Sequence, residues 1–406
     1  MPLELVDRVD EDQLDQEYNW TLNFGPQHPA THTTLRLILT LNGETVLKAV
    51  PDIGYLHSGF EKLGEDLDYN QYVTIVDRMN YISPFHNEVA WHHTVEKLMG
   101  LELTPRCKYI RTILAELARI NDHLLCVGAV ALDLGAFTSF LYAFNQREAV
   151  YDIFETVSGQ RFHPSFTRVG GLMNDVDDVF VQKVRNFVKQ APKAINDLTR
   201  LLNRNRIFVD RTKDIGVLTK EEAINRSCSG PVARASGVTR DLRKDEPYLA
   251  YRDFDFKMVC AKEGDCYARY LVRMEEMRES LNIIAQAIEN LPSGPVNVDL
   301  NGKVTIPDKS ATYRSIEGLI QHFELIMTNR QWKPPINECY GAVESPNGEL
   351  GFYIVSDGTG RAYRARCRPP SFIHFSLFPH LIEGHQISDV VAVLGSLNII
   401  AAELDR

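Results

Sequence analysis

The sequence runs to 406 residues, 44% hydrophobic and 24% charged, which suits a globular protein with a substantial core and excludes disordered low-complexity, collagen-like and membrane-bundle classes. A formal net charge of −10 argues against a general nucleic-acid binder, because phosphate contacts need clustered Lys and Arg. Apolar stretches such as Val390 to Leu394 and Leu397 to Ala402 fall far short of the roughly 20 residues that cross a bilayer.

Met1 to Glu17 carries seven Asp or Glu and lacks both the basic start and apolar run of a secretory signal and the Arg-rich character of a transit peptide. It reads as a mobile or partner-bound lead-in, and a cytoplasmic-side location is expected. The fold should begin near Asn19. Leucines 35, 37, 39 and 41 alternate with Thr34, Arg36, Ile38 and Thr40, the period of a half-buried strand. Asn42-Gly43 tolerates the positive φ of a tight turn, and Glu44 to Val50 supplies the returning strand.

From Pro84 the period changes. Ile110, Ile113, Leu114, Leu117, Ile120 and Leu124 mark one face of a long helix, and further helices are expected at 137–158, 178–205 and 264–290. Within the last of these Tyr267, Tyr270, Leu271, Met274, Met277, Leu281 and Ile284 fall at helical spacing, a pattern of plain core packing. Asp308 to Asn329 reads as helix, Gly341 to Val355 as a strand pair around Pro346-Asn347-Gly348, and a final helix starts near Ser388. The expected organisation is an acidic lead-in at 1–18, a β-rich part with the site loops at 19–83, a helical core at 84–330 and an α/β part at 331–406. The fold class is α+β, mainly helical.

The seven cysteines, at 107, 126, 228, 260, 266, 339 and 367, form no C-x-x-C pair, which suits reduced thiols. His28, His32 and His57 sit in Gly- and Pro-rich connections of the kind that present functional side chains. They lie off any helix face and without a neighbouring Cys or Asp at ligand spacing, so hydrogen bonding is favoured over metal binding. His92 and His93 are adjacent on a helix and point apart, as surface or packing histidines would. No phosphate-binding loop, dinucleotide fingerprint or G-x-S-x-G elbow is present, so the chain is expected to hold no NADH and to perform no serine hydrolysis.

Several strings carry a resemblance: Asn23-Phe-Gly-Pro-Gln-His-Pro-Ala-Thr-His32, Ile53-Gly-Tyr-Leu-His-Ser-Gly-Phe-Glu-Lys62, Asp77-Arg-Met-Asn-Tyr81 and Ala131-Leu-Asp-Leu-Gly135. Tyr353-Ile-Val-Ser-Asp-Gly358, Arg368-Pro-Pro-Ser-Phe372 and Glu403-Leu-Asp-Arg406 follow in order. Together they resemble the D subunit of respiratory complex I, an NADH:quinone oxidoreductase, a family itself similar to the large subunit of nickel–iron hydrogenases. The hydrogenase metal is held by two Cys pairs. Gly54 to Gly59 and Ser396 to Ala401 occupy those regions without a Cys, so the resemblance implies a scaffold without its metal ligands.

It implies that the vacated cavity ends a quinone channel beside the terminal iron–sulfur cluster of the B subunit, with ubiquinone or menaquinone reduced one electron at a time. His32 and Tyr81 match the headgroup ligands, Asp133 the carboxylate paired with the site histidine, and Arg78 and His163 residues beside the neighbouring cluster. The implied partners are the B, C and I subunits and the H subunit of the membrane arm, on the cytoplasmic side of a bacterial plasma membrane, with NADH and flavin elsewhere. Alternatives are a ferredoxin-fed assembly of the same fold or a non-catalytic scaffold. The chain departs from the family pattern at Thr33 (usually Gly), Asp52 (often His), Ser58 (often Arg), Ala268 (often Asp) and Asn398 (often Asp).

Overall fold

A computed structural model describes residues 19–31, 34–298, 306–307, 309–327 and 332–406. Asn19–Phe24 (β1), Arg36–Asn42 (β2) and Thr45–Asp52 (β3) form an antiparallel sheet in that order. The expected alternation is observed: Leu37, Leu39 and Leu41 are fully buried, and Gly43 turns the chain at φ 59°.

Three short or mid-length helices follow, Phe60–Asp66 (α1), Val73–Val76 (α2) and Pro84–Met99 (α3). Pro105–Asp133 (α4) is the central rod, with Pro105 in its first turn and the Thr104 hydroxyl accepting from the Cys107 amide at 3.3 Å. It packs against Phe137–Ser158 (α5) and the later Cys266–Glu289 helix, which leaves few of its residues at the surface. A two-stranded ribbon, Thr167–Arg168 (β4) with Gly171–Leu172 (β5), precedes Asp178–Asn203 (α6). Short helices Arg206–Asp210 (α7), Lys220–Asn225 (α8), Gly230–Ala235 (α9) and Leu242–Asp245 (α10) lead into Cys266–Glu289 (α11).

Because α4 is enclosed, its charged side chains must find partners, and they do so as a network. Arg111 donates to both Glu96 oxygens at 2.8 and 3.0 Å, Glu116 holds Arg119 and Arg243, and Glu276 of α11 binds His123 at 2.9 Å and Arg234 at 2.7 Å. Arg234 reaches on to Glu344 at 2.6 Å. Such a web is costly to desolvate but more costly to break, so it fixes one arrangement of α4, α9, α10 and α11.

The helix expected at 308–329 is divided. Lys309–Arg314 (α12) ends where Ser315 caps Ile316–Ile326 (α13), its hydroxyl accepting from the Gly318 amide at 3.0 Å; residues 308, 328 and 329 lie outside the described residues. Asn337–Ser345 (β6) and Gly348–Ser356 (β7) are the expected strand pair, joined by an unanticipated third strand, Ala362–Arg368 (β8). Pro370–Ile382 (α14) was also not anticipated: apolar on most faces and containing Pro379, it shows no clean helical stripe. Asp389–Leu397 (α15) and Ala401–Asp405 (α16) close the chain. The amino-terminal sheet lies on α14, and the strand leucines share one core with Phe375, Phe378, Val393 and Leu397. No helix among the described residues is long and apolar enough to cross a membrane.

Candidate functional site

Tyr81 stands in the turn between α2 and α3, and that turn is pinned by amide side chains. Asn87 donates to the Asn80 carbonyl at 3.0 Å, Asn121 to the Ile82 carbonyl at 3.0 Å, and the Ile82 amide donates to Asn80 Oδ1 at 3.2 Å. With its backbone fixed on both sides, the Tyr81 ring is half-buried near Phe162, 6.5 Å between centroids, and its hydroxyl has no hydrogen-bond partner among the described residues. Burial, assisted by the Asp122 charge, raises the phenol above its ordinary value of 10.0, so Tyr81 holds its proton at neutral pH.

Asp122 lies on α4 and is 1% exposed. Its two oxygens accept from Asn398 Nδ2 at 2.7 Å and Asn80 Nδ2 at 3.4 Å. Asn398 ends α15 at φ 54°, a left-handed conformation that Asn tolerates better than most residues. The same amide nitrogen also donates to Asn347. Glu403, fully buried on α16, is bonded to Ser371, and burial pushes its carboxyl up to about 8.

Arg78 and His163 meet on the other side of Phe162. The Phe162 and His163 rings are 4.7 Å apart, and burial together with the Arg78 charge lowers the imidazole below its usual 6.5. Arg78 is exposed and donates to the Thr74 carbonyl. The loop carrying His163 is anchored from below: Asp77 accepts from the Ser165 amide and hydroxyl, each at 2.9 Å, and Glu88 accepts from the Phe166 amide at 3.1 Å and the Thr167 amide at 2.6 Å. Asp77 and Glu88 are buried beside each other, and both are raised, mainly by desolvation.

His32 and Thr33 lie outside the described residues. Asp133 ends α4 with its carboxyl open to solvent on one side and packed by protein on the other; the packing raises it to about 6, against the opposing charge of His28. Water contact limits that shift. His28 is exposed, its ring tilted against Phe24 at 4.5 Å, and it is the described histidine whose charge reaches Asp133.

The two regions expected to have lost Cys pairs flank one clasp. Asp405 accepts from the Gly54 amide at 3.0 Å and the Leu56 amide at 2.7 Å, its carbonyl meets His57 Nδ1 at 2.8 Å, and Arg406 pairs with Glu61 at 3.4 Å. Among the described residues no group of three or more His, Cys, Asp or Glu is arranged to hold a metal ion. His92 is buried on Thr167 at 2.7 Å and His93 packs near Tyr248, so both are packing residues. Two of the larger clefts, a groove of about 590 Å³ beside His93 and one of about 530 Å³ beside Tyr142 and Arg204, are lined by none of the expected site residues.

The structure therefore brings Tyr81 together with Asp122, and Arg78 with His163, across Phe162. Sequence reading gave no role to Asp122, Asn80, Phe162 or Glu403, although Asn80 and Glu403 stand in quoted strings. The one signal was the departure at Asn398, whose partner proves to be Asp122.

Comparison with known proteins gives a consistent picture. Residues 133–406 match the family described as respiratory-chain NADH dehydrogenase, 49 Kd subunit. The NADH-quinone oxidoreductase D subunit of Methylacidiphilum infernorum is 47% identical over 385 residues, 95% of this chain and 91% of that protein. The D 2 subunit of the Rhizobium etli enzyme is 47% identical, covering 95% of each chain. The D 1 subunit of the Chloroherpeton thalassium enzyme is 46% identical over 397 residues, 98% of this chain and 89% of its own.

Proposed function

This chain belongs to the 49 Kd subunit family of respiratory-chain NADH dehydrogenase, the D subunits of NADH-quinone oxidoreductase, and from that premise we propose that it forms one wall of the site where quinone is reduced. The observation that carries the reading is the half-buried Tyr81 phenol, fixed by its backbone yet without an internal hydrogen-bond partner among the described residues, on a strip shared with Phe162, His163 and Arg78. A phenol in that state can donate to a quinone carbonyl, and His32 is assigned to the second carbonyl. Both oxygens gain negative charge on reduction, and a fixed donor aimed at a developing oxyanion is worth roughly 2.7 to 4 kcal/mol in other enzymes.

Reduction to quinol takes two electrons, delivered singly, and two protons. Tyr81 and His32 are the protein groups assigned to supply the protons. Arg78 and His163 face the neighbouring B subunit and its iron–sulfur cluster, where an imidazolium would favour the reduced cluster. Asp133, paired with a loop histidine, senses the change in charge and passes it toward the membrane arm. The scaffold is hydrogenase-like, with the clasp of Asp405 on the Gly54 to His57 loop closing the former metal region. The C, I and H subunits complete the surroundings, and the chain is held on the cytoplasmic face of the plasma membrane through them.

The test is Tyr81→Phe in the assembled complex. Quinone reduction should fall at least about tenfold, while NADH oxidation with a hydrophilic acceptor that takes electrons upstream stays intact. Unchanged quinone reduction would remove Tyr81 from the site.

A further inference from the structure

Asp122 is a buried carboxylate without a cation. Among the described residues it enters no ion pair, and its two oxygens are met only by the amides of Asn398 at 2.7 Å and Asn80 at 3.4 Å. Two N–H donors suit an ionised carboxylate, which can only accept. Leaving such a charge unpaired in the interior is costly, and the amide cradle keeps it in one place. That place is next to the functional phenol, since Asn80, the donor to Asp122, directly precedes Tyr81 in the chain.

The groups that feel this charge surround it. They are Tyr81 in the turn before α3, Arg147 on α5, His123 and Cys126 on α4 itself, and Glu403 on α16. Arg147 is turned to Asn121 and Tyr151 and makes no ion pair with Asp122, although the two charges attract. His123 is occupied by Glu276. Glu403, pushed up to about 8, is uncharged at neutral pH and adds no charge of its own beside Asp122.

Resting on the reading of Tyr81 given above, we propose that Asp122 is a positioning residue for quinone reduction: its carboxylate, cradled by Asn398 and Asn80, sets how firmly the Tyr81 phenol holds its proton. When the phenol O–H breaks and its proton moves to a quinone oxygen, the resulting phenolate faces a fixed like charge. The phenolate is thereby destabilised, and recovery of a proton from solvent restores the donor before the next turnover. Because Asn398 and Asp122 share one hydrogen bond, the carboxylate can occupy either end of it.

The experiment uses the assembled complex with a fluorinated tyrosine at 81, a phenol acidic enough for its alkaline limb to enter the assayed range of quinone reduction. Moving of that limb on fluorination assigns it to residue 81; a profile indifferent to fluorination rejects the Tyr81 reading and, with it, this one. Given the assignment, Asp122→Asn should bring the limb down by about one pH unit, the lower end of what a charge at close range does. Adding Asn398→Asp to that variant should bring it back up. A limb that stays in place in Asp122→Asn while activity drops equally at all pH values overturns the proposal and leaves Asp122 a structural residue. A double variant whose limb remains with that of the single variant overturns it as well. Where Asp122→Asn prevents assembly, Asn398→Asp alone adds a second carboxylate and should raise the limb; an unmoved limb there is equally fatal.

Discussion

Replacing Glu403 by Gln should stabilise the carboxy-terminal packing, and by an amount that depends on pH. The Glu403 carboxyl is fully buried, one oxygen is bonded to Ser371, the other has no partner among the described residues, and burial carries the group from its ordinary 4.5 to about 8. A raised carboxyl is protonated in the folded state while the unfolded chain ionises, so its contribution is complete below about 4.5 and is lost progressively as pH rises toward 8. At pH 7 the loss is about 3 kcal/mol, from 1.36 kcal/mol per unit. Gln copies the protonated shape and cannot ionise. It returns most of that loss, less about 1 kcal/mol for an amide hydrogen left without an acceptor.

The assay is hydrogen exchange of peptides spanning Pro370–Ile382 and Ala401–Asp405 in the assembled complex, variant against parent at each pH. Protection in Glu403→Gln should exceed the parent by about 2 kcal/mol at pH 7 and converge with it near pH 5. A difference that is independent of pH, or a variant that is less protected at pH 7, would refute the assignment of Glu403 as a neutral buried acid.

Three further outcomes are expected. Glu276→Gln strips the negative partner from His123 and Arg234 at once and should lower stability by about 3 to 5 kcal/mol, read as loss of assembled complex or a lower unfolding midpoint; a variant as stable as the parent contradicts the network. Asp133→Asn fixes the α4 carboxyl in its neutral shape and should reduce proton translocation per quinone reduced, and unchanged turnover with unchanged pumping sinks the coupling role. In Gly230→Ala the new Cβ would lie 2.5 Å from the Gly348 Cα at a φ of +65°, so α9 and the β6–β7 turn must separate at a cost of about 2 to 4 kcal/mol, measurable as a fall in thermal midpoint.

Periodicity alone located much of the framework. The leucines of β2 and the apolar rows of α4, α5, α6 and α11 alternate at the periods of strand and helix, and these elements stand where the spacing placed them. Elements with weak local signals were lost: β8 alternates charged with small residues, and α14 is apolar around most of its circumference and contains Pro379. Tyr81, Arg78 and Asp133 stand in strings that carry the resemblance, and His163 came with the same resemblance; two of these, Arg78 and His163, do come together in space.

Asp122 was hidden for a physical reason. In the sequence it is one acidic residue in a long helix, where an acid normally marks a solvent-facing position. Only the enclosure of α4 by α3, α5, α11 and α15 turns that position into the interior, and only the left-handed end of α15 brings Asn398, 276 residues later, within hydrogen-bond reach. The one-dimensional pattern determined which stretches bury which faces, because that depends on neighbours a few residues away. The placement of a buried carboxyl beside the Tyr81 turn was decided by the tertiary structure, because it depends on which distant amides arrive to hold it.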